Sequence, residues 1–379
     1  MKKMSAPVSR RFEGFFTIAF IASGLCACAF AADPAPTYEN SPIRLSSNEN
    51  AFGYTPKAKE AMIEALDAGS YYNRNNVSEL VALCAKKEGV SKDYILTTAG
   101  SGPLLMMTAL AYAEPGVNVV TTEMGYTQLI RKFEQRGGDV KYASLSEDMG
   151  YDFKALGDAI DENTKIVYIC NPNNPTGVLA DSNALKQFVL SVPPHILVFV
   201  DEAYLELTES SFAMATCAPL TKIRKNLMVT RTFSKGYGLA GMRIGYGVAH
   251  PDVIELISDF YMGPPSYLAA IAACEALKDE AHLSKNVENY QTVRKHVCDT
   301  FDELGIEYAK PDGAFVYFHS GIDQQLLRDT MKENGILISG SRVSGVPAQK
   351  YEKWARVSIG TMSQMDEFLS LMGGMMAKK

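Results

Sequence analysis

Two periods govern the apolar positions of this chain. From Lys57 to Leu66 and from Ser78 to Lys87 they recur at helical spacing. Short apolar, β-branched runs then take over: Asn118 to Thr121, Lys165 to Cys170, Ile196 to Val200 and Asn226 to Thr230. Strand-like runs that alternate with helical stretches predict a mostly parallel sheet. After Pro264-Pro265 a long helical region extends to about Leu304 and leads into a shorter α+β end. The expected architecture is α/β, with a large domain over 76–265 and a smaller one that combines 33–75 with 266–379. No internal repeat is visible.

Polar and small residues sit at the ends of these runs. After Asn226 to Thr230 the chain reads RTFSKGYGLAGMRIGYG, which places Thr232, Ser234 and Lys235 together and Arg243 eight residues on. Alone, such a lysine reads as a solvated surface charge. Among hydroxyls and an arginine it fits a pyridoxal phosphate (PLP) enzyme: the amine forms a Schiff base with the cofactor aldehyde, and the hydroxyls and guanidinium hold its phosphate. The run Ile166 to Cys170 ends in NPNNPTG (Asn171 to Gly177), a sharp loop at a strand's C-terminal end, where open α/β sheets bind ligands. VFVDEAY (Val198 to Tyr204) puts Asp201 at the edge of a buried sheet. Buried carboxylates are costly unless something cationic pairs with them, and a protonated pyridine nitrogen would serve. A cap on the next helix is the plainer role for that aspartate. TTAGSGP (Thr97 to Pro103), after Tyr94-Ile95-Leu96, brings small residues into a helix start, where backbone N–H groups favour an anion.

This order of motifs resembles the fold-type I PLP aminotransferases, and within them the histidinol-phosphate aminotransferase group. The likeness begins at RLSSNENAFG (Arg44 to Gly53) and ends at WARVSIGT (Trp354 to Thr361), so it spans almost the whole chain after the leader. It implies a large domain with a mostly parallel seven-stranded sheet, a smaller α+β domain, PLP as cofactor, and amino-acid and 2-oxo-acid substrates. By the same resemblance Lys235 is the Schiff-base lysine and proton carrier, Asp201 pairs with the pyridine nitrogen, and Asn174 and Tyr204 bond the phenolic oxygen. Ser101, Gly102, Thr232, Ser234 and Arg243 hold the phosphate, and Tyr126 stacks on the ring. Tyr72 reaches the partner subunit's phosphate, which makes the site a property of a homodimer. Arg356 clamps the substrate carboxylate, with Asn174 and Asn50 beside the substrate and Asn50, Tyr267 and Arg342 at the pocket mouth.

Two departures from the group's pattern change the picture. Gly102-Pro103 stand where the group has Asp or Asn and then Glu, and Pro103 cannot donate an N–H. The group often carries an arginine just after its GILV strand to bind a substrate phosphate. Here Gly335-Ile336-Leu337-Ile338 is followed by Ser339, with Arg342 three residues on. The GxGxxG match at Gly236 to Gly241 lacks the strand, long helix and acidic residue of a dinucleotide site, so its glycines are expected to shape the turn behind Lys235.

Composition narrows the partners. At 379 residues with 47% hydrophobic content the chain can bury a large core. A net charge of −6, with no basic tract beyond the N-terminus, argues against nucleic acid or an anionic membrane. Residues 1–32 read as a signal peptide: Lys2, Lys3, Arg10 and Arg11 precede an apolar stretch from Phe15 to Phe30 that ends in Ala31-Ala32. Ser9-Arg10-Arg11 resembles a twin-arginine signal, although Glu13 sits where a hydrophobic residue is usual. The general secretory route is the alternative, and Leu25 to Cys28 also reads as a lipobox with Cys28 acylated. Export to the periplasm is expected, with a soluble mature protein. Residues 32–42 are a Pro-rich linker. Cys84, Cys170, Cys217, Cys274 and Cys298 remain after cleavage, widely spaced and without a CxxC, so neither a disulfide framework nor a metal site is expected.

The leading reading is an exported PLP-dependent aminotransferase. A decarboxylase of the threonine-phosphate type would use the same lysine and aspartate with the Cα–carboxylate bond aligned. A periplasmic binding protein would share the leader and two lobes but has no use for the motifs. A PLP-binding transcription regulator is argued against by the absence of a helix-turn-helix ahead of them.

Overall fold

The computed structural model describes residues 42–72, 75–209, 212–341 and 348–377. The expected leader, its twin-arginine and lipobox motifs, the linker and Arg342 lie outside the described residues. Twelve strands are formed among the described residues. In chain order they are β1 (Ile43–Leu45), β2 (Ile95–Thr98), β3 (Asn118–Thr122), β4 (Asp139–Ala143), β5 (Thr164–Cys170) and β6 (Leu197–Asp201). Then come β7 (Leu227–Thr232), β8 (Gly245–Ala249), β9 (Glu307–Tyr308), β10 (Phe315–His319), β11 (Ile336–Gly340) and β12 (Trp354–Ser358).

Strands β2 to β8 form one seven-stranded sheet in the order β2-β8-β7-β6-β5-β3-β4. β8 is antiparallel to both neighbours, and all other pairings are parallel. The apolar runs explain the central strands directly. Ile166, Tyr168, Leu197 and Phe199 pack into a core on one face, and Val167, Ile169, Val198 and Val200 into a core on the other. Side chains alternate faces along a strand, so a strand buried on both faces has no polar positions. β4 and β8 escaped the apolar signal for opposite reasons. β4 is an edge strand that keeps Asp139 and Lys141, and β8 (GYGVA) is rich in glycine.

The helical periodicities appear as Pro56–Glu64 and Asn75–Glu88. Leu66 falls instead in a short 3-10 turn after the first. The expected helical region after Pro265 is two helices, Tyr267–Lys278 and Glu280–Glu303. They break at Asp279, whose backbone is non-helical (φ −101°, ψ 65°) and whose carboxylate is bonded by the Thr55 hydroxyl and pairs with Lys57 at 3.2 Å.

A second sheet runs β1-β11-β12-β10-β9, parallel only between β1 and β11. Its core contains Phe301, Phe315, Phe318 and Phe368, and Ala203 and Tyr204 from the end of β6 join it. The chain that leaves β6 thus ties Asp201 to both sheets. The GxGxxG segment forms a turn and a 3-10 helix at Ala240–Met242, with no long helix. Gly238 has φ +72°, and a Cβ there would lie 2.5 Å from the carbonyl oxygen of Gly53. That glycine lets the turn behind Lys235 pack against the N-terminal segment.

Beneath the ends of β6 and β7 lies a buried ionic cluster. Arg231, fully buried in β7, pairs with Glu202 at 2.9 Å and with Glu88, the last residue of its helix, at 3.3 Å. Tyr246 donates its hydroxyl to Glu88 at 2.6 Å, Arg231 donates to the Thr216 hydroxyl at 2.8 Å, and the Cys217 N–H donates to Glu202 at 2.7 Å. Burial pushes Glu202 up to about 7 even beside Arg231. Removing one member of such a cluster leaves the others charged and unpaired. Arg231→Met should therefore cost about 3–5 kcal/mol of unfolding free energy, read from denaturant titrations of wild type and variant. A variant of wild-type stability would mean that the cluster does not hold β7 against its neighbours.

Candidate active site

Where parallel strands end, the chain must leave the sheet, and the exposed edge leaves a crevice for polar groups. Here a cavity of about 650 Å³ lies at the C-terminal ends of β2, β3, β5, β6 and β7. β2 supplies Ser101 and Gly102, the loop after β3 supplies Tyr126, and NPNNPTG after β5 supplies Asn174. Asp201 ends β6, with Tyr204 three residues on. Thr232 ends β7, followed by Ser234 and Lys235, and Arg243 precedes β8. From the second sheet, β12 adds Arg356. These residues, scattered over some 250 positions, meet in one space.

Three anticipated residues do not line it. Asn50 donates its amide to the carbonyl oxygens of Lys235 (2.8 Å) and Gly236 (3.2 Å) and accepts from the Phe52 N–H. Its hydrogen bonds position the lysine's backbone. Tyr267 is the first residue of its helix and is absent from the cavity wall. Tyr72 is fully exposed (106%) on this chain.

Asp201 and Lys235, which share this cavity, are displaced in opposite directions. Asp201 is 2% exposed, accepts from the Thr230 hydroxyl at 3.0 Å, and has no ion pair among the described residues. Burial pushes its carboxyl up to about 6. Burial, and then the nearby Arg356 charge, push the Lys235 amine down to about 8. Its Nζ donates to the carbonyl oxygens of Asn48 (2.8 Å) and Ser47 (3.2 Å). Both displacements reflect the cost of holding charge away from bulk water.

At the other end of the cavity an anion-sized cradle is built. The helix Gly102–Tyr112 starts there, with Ser101 as N-cap making no side-chain capping bond. The first N–H groups of a helix have no intrahelical partner, so Pro103 removes only one of several donors. Arg243 holds a left-handed backbone (φ 55°), and its guanidinium donates to Ser234 Oγ at 3.3 Å and to the Ala240 carbonyl at 3.0 Å. It lies so close over Gly100 (φ +91°) that a Cβ there would sit 2.5 Å from Nη2. Thr232 and Ser234 hydroxyls are 3.0 Å apart. Tyr126, 37% exposed, donates to Gln128 Oε1 at 3.0 Å, and Gln128 Nε2 donates to the Gly102 carbonyl at 3.2 Å.

Tyr204 joins the two ends. Its hydroxyl accepts from Asn48 Nδ2 at 3.0 Å and from Asn174 Nδ2 at 3.2 Å, and burial raises its pKa. Asn174 Oδ1 in turn accepts from Arg356 at 2.6 Å, and the second Arg356 terminal nitrogen donates to the Ser46 carbonyl at 2.6 Å. Asn48 was not singled out from the sequence. It sits at φ 53° and is held by Ser358, whose hydroxyl donates to Asn48 Oδ1 and accepts from its N–H, both at 2.8 Å. Its position within SSNEN was the signal that could have found it. Among the described residues no group of His, Cys, Asp and Glu is placed to hold a metal, and all five cysteines are free.

Comparison with known proteins assigns this arrangement. The profile of the family "Aminotransferase class I and II" matches residues 40–371. The histidinol-phosphate aminotransferase of Moorella thermoacetica is 32% identical over 330 residues, covering 86% of this chain and 83% of that protein. Histidinol-phosphate aminotransferase 2 of Pseudomonas fluorescens is 34% identical over 342 residues, 89% of each. The crystal structure of histidinol-phosphate aminotransferase from Sinorhizobium meliloti in complex with pyridoxal-5'-phosphate superposes with a TM-score of 0.81 at 25% identity, covering 89% of this chain and 91% of that one. With the seven-stranded sheet and the cavity at its strand ends, these matches show that the chain belongs to the class I and II aminotransferases and is a PLP-dependent aminotransferase of fold type I.

Proposed function

We propose that this enzyme moves the amino group of an unphosphorylated amino acid to a 2-oxo acid, with Lys235 as nucleophile and proton carrier. The observation that carries the proposal is the pairing, in one cavity, of a lysine pushed down to about 8 with a buried carboxylate that has no cationic partner among the described residues. PLP suits both, since its aldehyde needs a neutral amine and its ring nitrogen is a cation once protonated. When bound, the cofactor supplies an electron sink for the pair left on Cα.

The protein's residues do the rest. Asp201 would pair with the protonated ring nitrogen through a charge-assisted bond in a low-dielectric setting. Asn174 and Tyr204 would bond the phenolic oxygen. Ser101, Gly102, Thr232, Ser234 and Arg243 would hold the phosphate, and the helix start at Gly102 would add its dipole. Tyr126 would pack against the ring. Arg356, already bridging Asn174 and Ser46, clamps the substrate carboxylate. Lys235, anchored through its own carbonyl by Asn50, would hold the cofactor and take up and return the proton at the substrate's Cα.

Ser339 supports the absence of phosphate from the substrate. It pairs with Arg356 across the ladder, at the strand end where an arginine would otherwise fork around a phosphate. Full exposure of Tyr72 supports its reach into a second copy's site, and hence a homodimer. Export through a twin-arginine-like leader, to the periplasm, suits an enzyme that carries its cofactor already folded in. No helix among the described residues is long and apolar enough to cross a membrane.

Five results are expected. Purified protein should show a visible absorption band that borohydride abolishes and Lys235→Ala lacks, with turnover down by roughly 10³-fold or more; a colourless wild type that takes up no PLP would end the proposal. Asp201→Asn should keep PLP uptake yet lose about 10²-fold or more in kcat, and near-normal turnover would mean that Asp201 is misassigned. Its stability should move the other way. A carboxyl raised from 3.8 to about 6 on folding contributes stability below the lower value that is lost as pH rises through the upper one. The cofactor-free Asn variant should therefore gain in Tm over wild type at pH 8 and not at pH 3.5. Arg356→Ala should raise KM about 10- to 100-fold for every amino acid carrying the α-carboxylate. In wild type, histidinol phosphate should be a poor donor beside the best unphosphorylated amino acid, and efficient turnover of it would refute the specificity.

A further inference from the structure

A second cavity of about 300 Å³ opens beside the main one and shares Ser46, Ser47, Ser339 and Gly340 with it. Its far wall is the helix Gln324–Glu333, which presents Gln324 and Arg328 one turn apart. Gly340 lets that helix close in: a Cβ there would strike Gln324 Oε1 and lie 3.2 Å from Arg328 Cδ. Leu337 and Ile338 line it as apolar residues, and Ser341 adds a hydroxyl.

Charge separates the two spaces. The main cavity carries Asp201 and Glu49 as well as its cations. The smaller one has no acidic lining residue, and Arg328 is its single charge among the described residues. Arg328 pairs with no carboxylate among the described residues and has one weak hydrogen bond, to Gln325 Oε1 at 3.4 Å. The position matters as much as the charge. Ser339 lies opposite Arg356 on β12, about 5 Å away across the ladder, and Gly340 is one residue further, about 3.8 Å. The opening therefore lies beside Arg356, since Ser339 and Gly340 line both cavities.

We propose that the smaller cavity is the substrate side-chain subsite and that it takes a side chain ending in an anion, with Arg328 as the specificity-determining charge and Gln324 as a hydrogen-bond donor. The inference rests on the reading of Arg356 as the carboxylate clamp. It assigns selectivity to a helix outside the strand ends that carry the catalytic groups.

The test reads ligand-dependent stability, with no 2-oxo acid supplied to complete a turnover. L-glutamate, L-2-aminoadipate, O-phospho-L-serine and L-norleucine are titrated into the cofactor-loaded protein, and Tm is followed in wild type, Arg328→Ala, Arg328→Gln and Arg356→Ala. Wild type should bind the anionic ligands at least about 10-fold more tightly than norleucine. Both Arg328 variants should lose most of that preference, and Arg356→Ala should weaken all four ligands together. Arg328→Gln keeps most of the stem and so covers the case in which Arg328→Ala folds poorly. A preference that survives both Arg328 replacements overturns the proposal. An Arg328-dependent preference that Arg356→Ala leaves intact keeps the subsite and removes the carboxylate clamp. A stronger Arg328-dependent response to the phosphate than to the carboxylates keeps the anion site and overturns the preference for unphosphorylated substrates.

Discussion

Arg231 is the constraint from which the site is built. It is four residues upstream of Lys235, and its partner Glu202 follows Asp201 directly. One buried guanidinium therefore ties the two strands that carry the catalytic pair to each other and, through Glu88, to a helix on the sheet's face. A second buried pair, Lys87 with Glu206 at 3.2 Å, sits on the same helix, and Lys87 also donates to the Tyr237 hydroxyl at 2.6 Å, just past the lysine. Ion pairs this deep contribute little net stability, because desolvation offsets their attraction. Their consequence is positional: strand ends that would otherwise fray into loops are held to one geometry.

Holding the strand ends this firmly permits an unfavourable arrangement above them. Asp201 is buried and Lys235 half-buried in the cavity wall, and each is driven towards its neutral form. In the cofactor-free protein that is a cost, and the proposed binding of a cationic ring and a carbonyl would remove it. The same principle shows in the backbone, where Arg243 accepts a left-handed conformation that costs of order 1–3 kcal/mol to place its guanidinium over Gly100 and beside Ser234.

The second sheet enters the site through register. Because β12 pairs with β10 and β11, Arg356 faces Tyr317 on one side and Ser339 on the other. Its reach to Asn174 and Ser46 then links the second sheet to the loop after β5 and to the end of β1. Where that ladder runs out, Ser339 stands opposite Arg356, and Gly340 leaves room for the helix Gln324–Glu333 to lean against the strand.

Much of this was legible in the order of residues. Central strands were readable because burial on both faces leaves only apolar side chains, and a sharp switch from such a run to NPNNPTG, DEAY or TFSK marks the strand end where polar groups are tolerated. Lys235, Asp201, Asn174, Tyr204, Arg243 and Arg356 followed from those switches and from the motifs' likeness to a known group. What the pattern did not carry was long-range company. Asn50 was anticipated beside the substrate, and its bond to the Lys235 backbone was not foreseen; Asn48 was passed over, though it completes the Tyr204 and Ser358 network. The edge strand β4, the break at Asp279 and the polar cavity against Arg328 were likewise hidden. Sequence by itself determined which segments must be buried and where each run stops, since those depend on neighbours along the chain. Only the tertiary structure decided which side chain an amide or guanidinium meets, because a hydrogen bond is settled by distances of a few tenths of an ångström between residues that, in the case of Asn48 and Ser358, stand 310 positions apart.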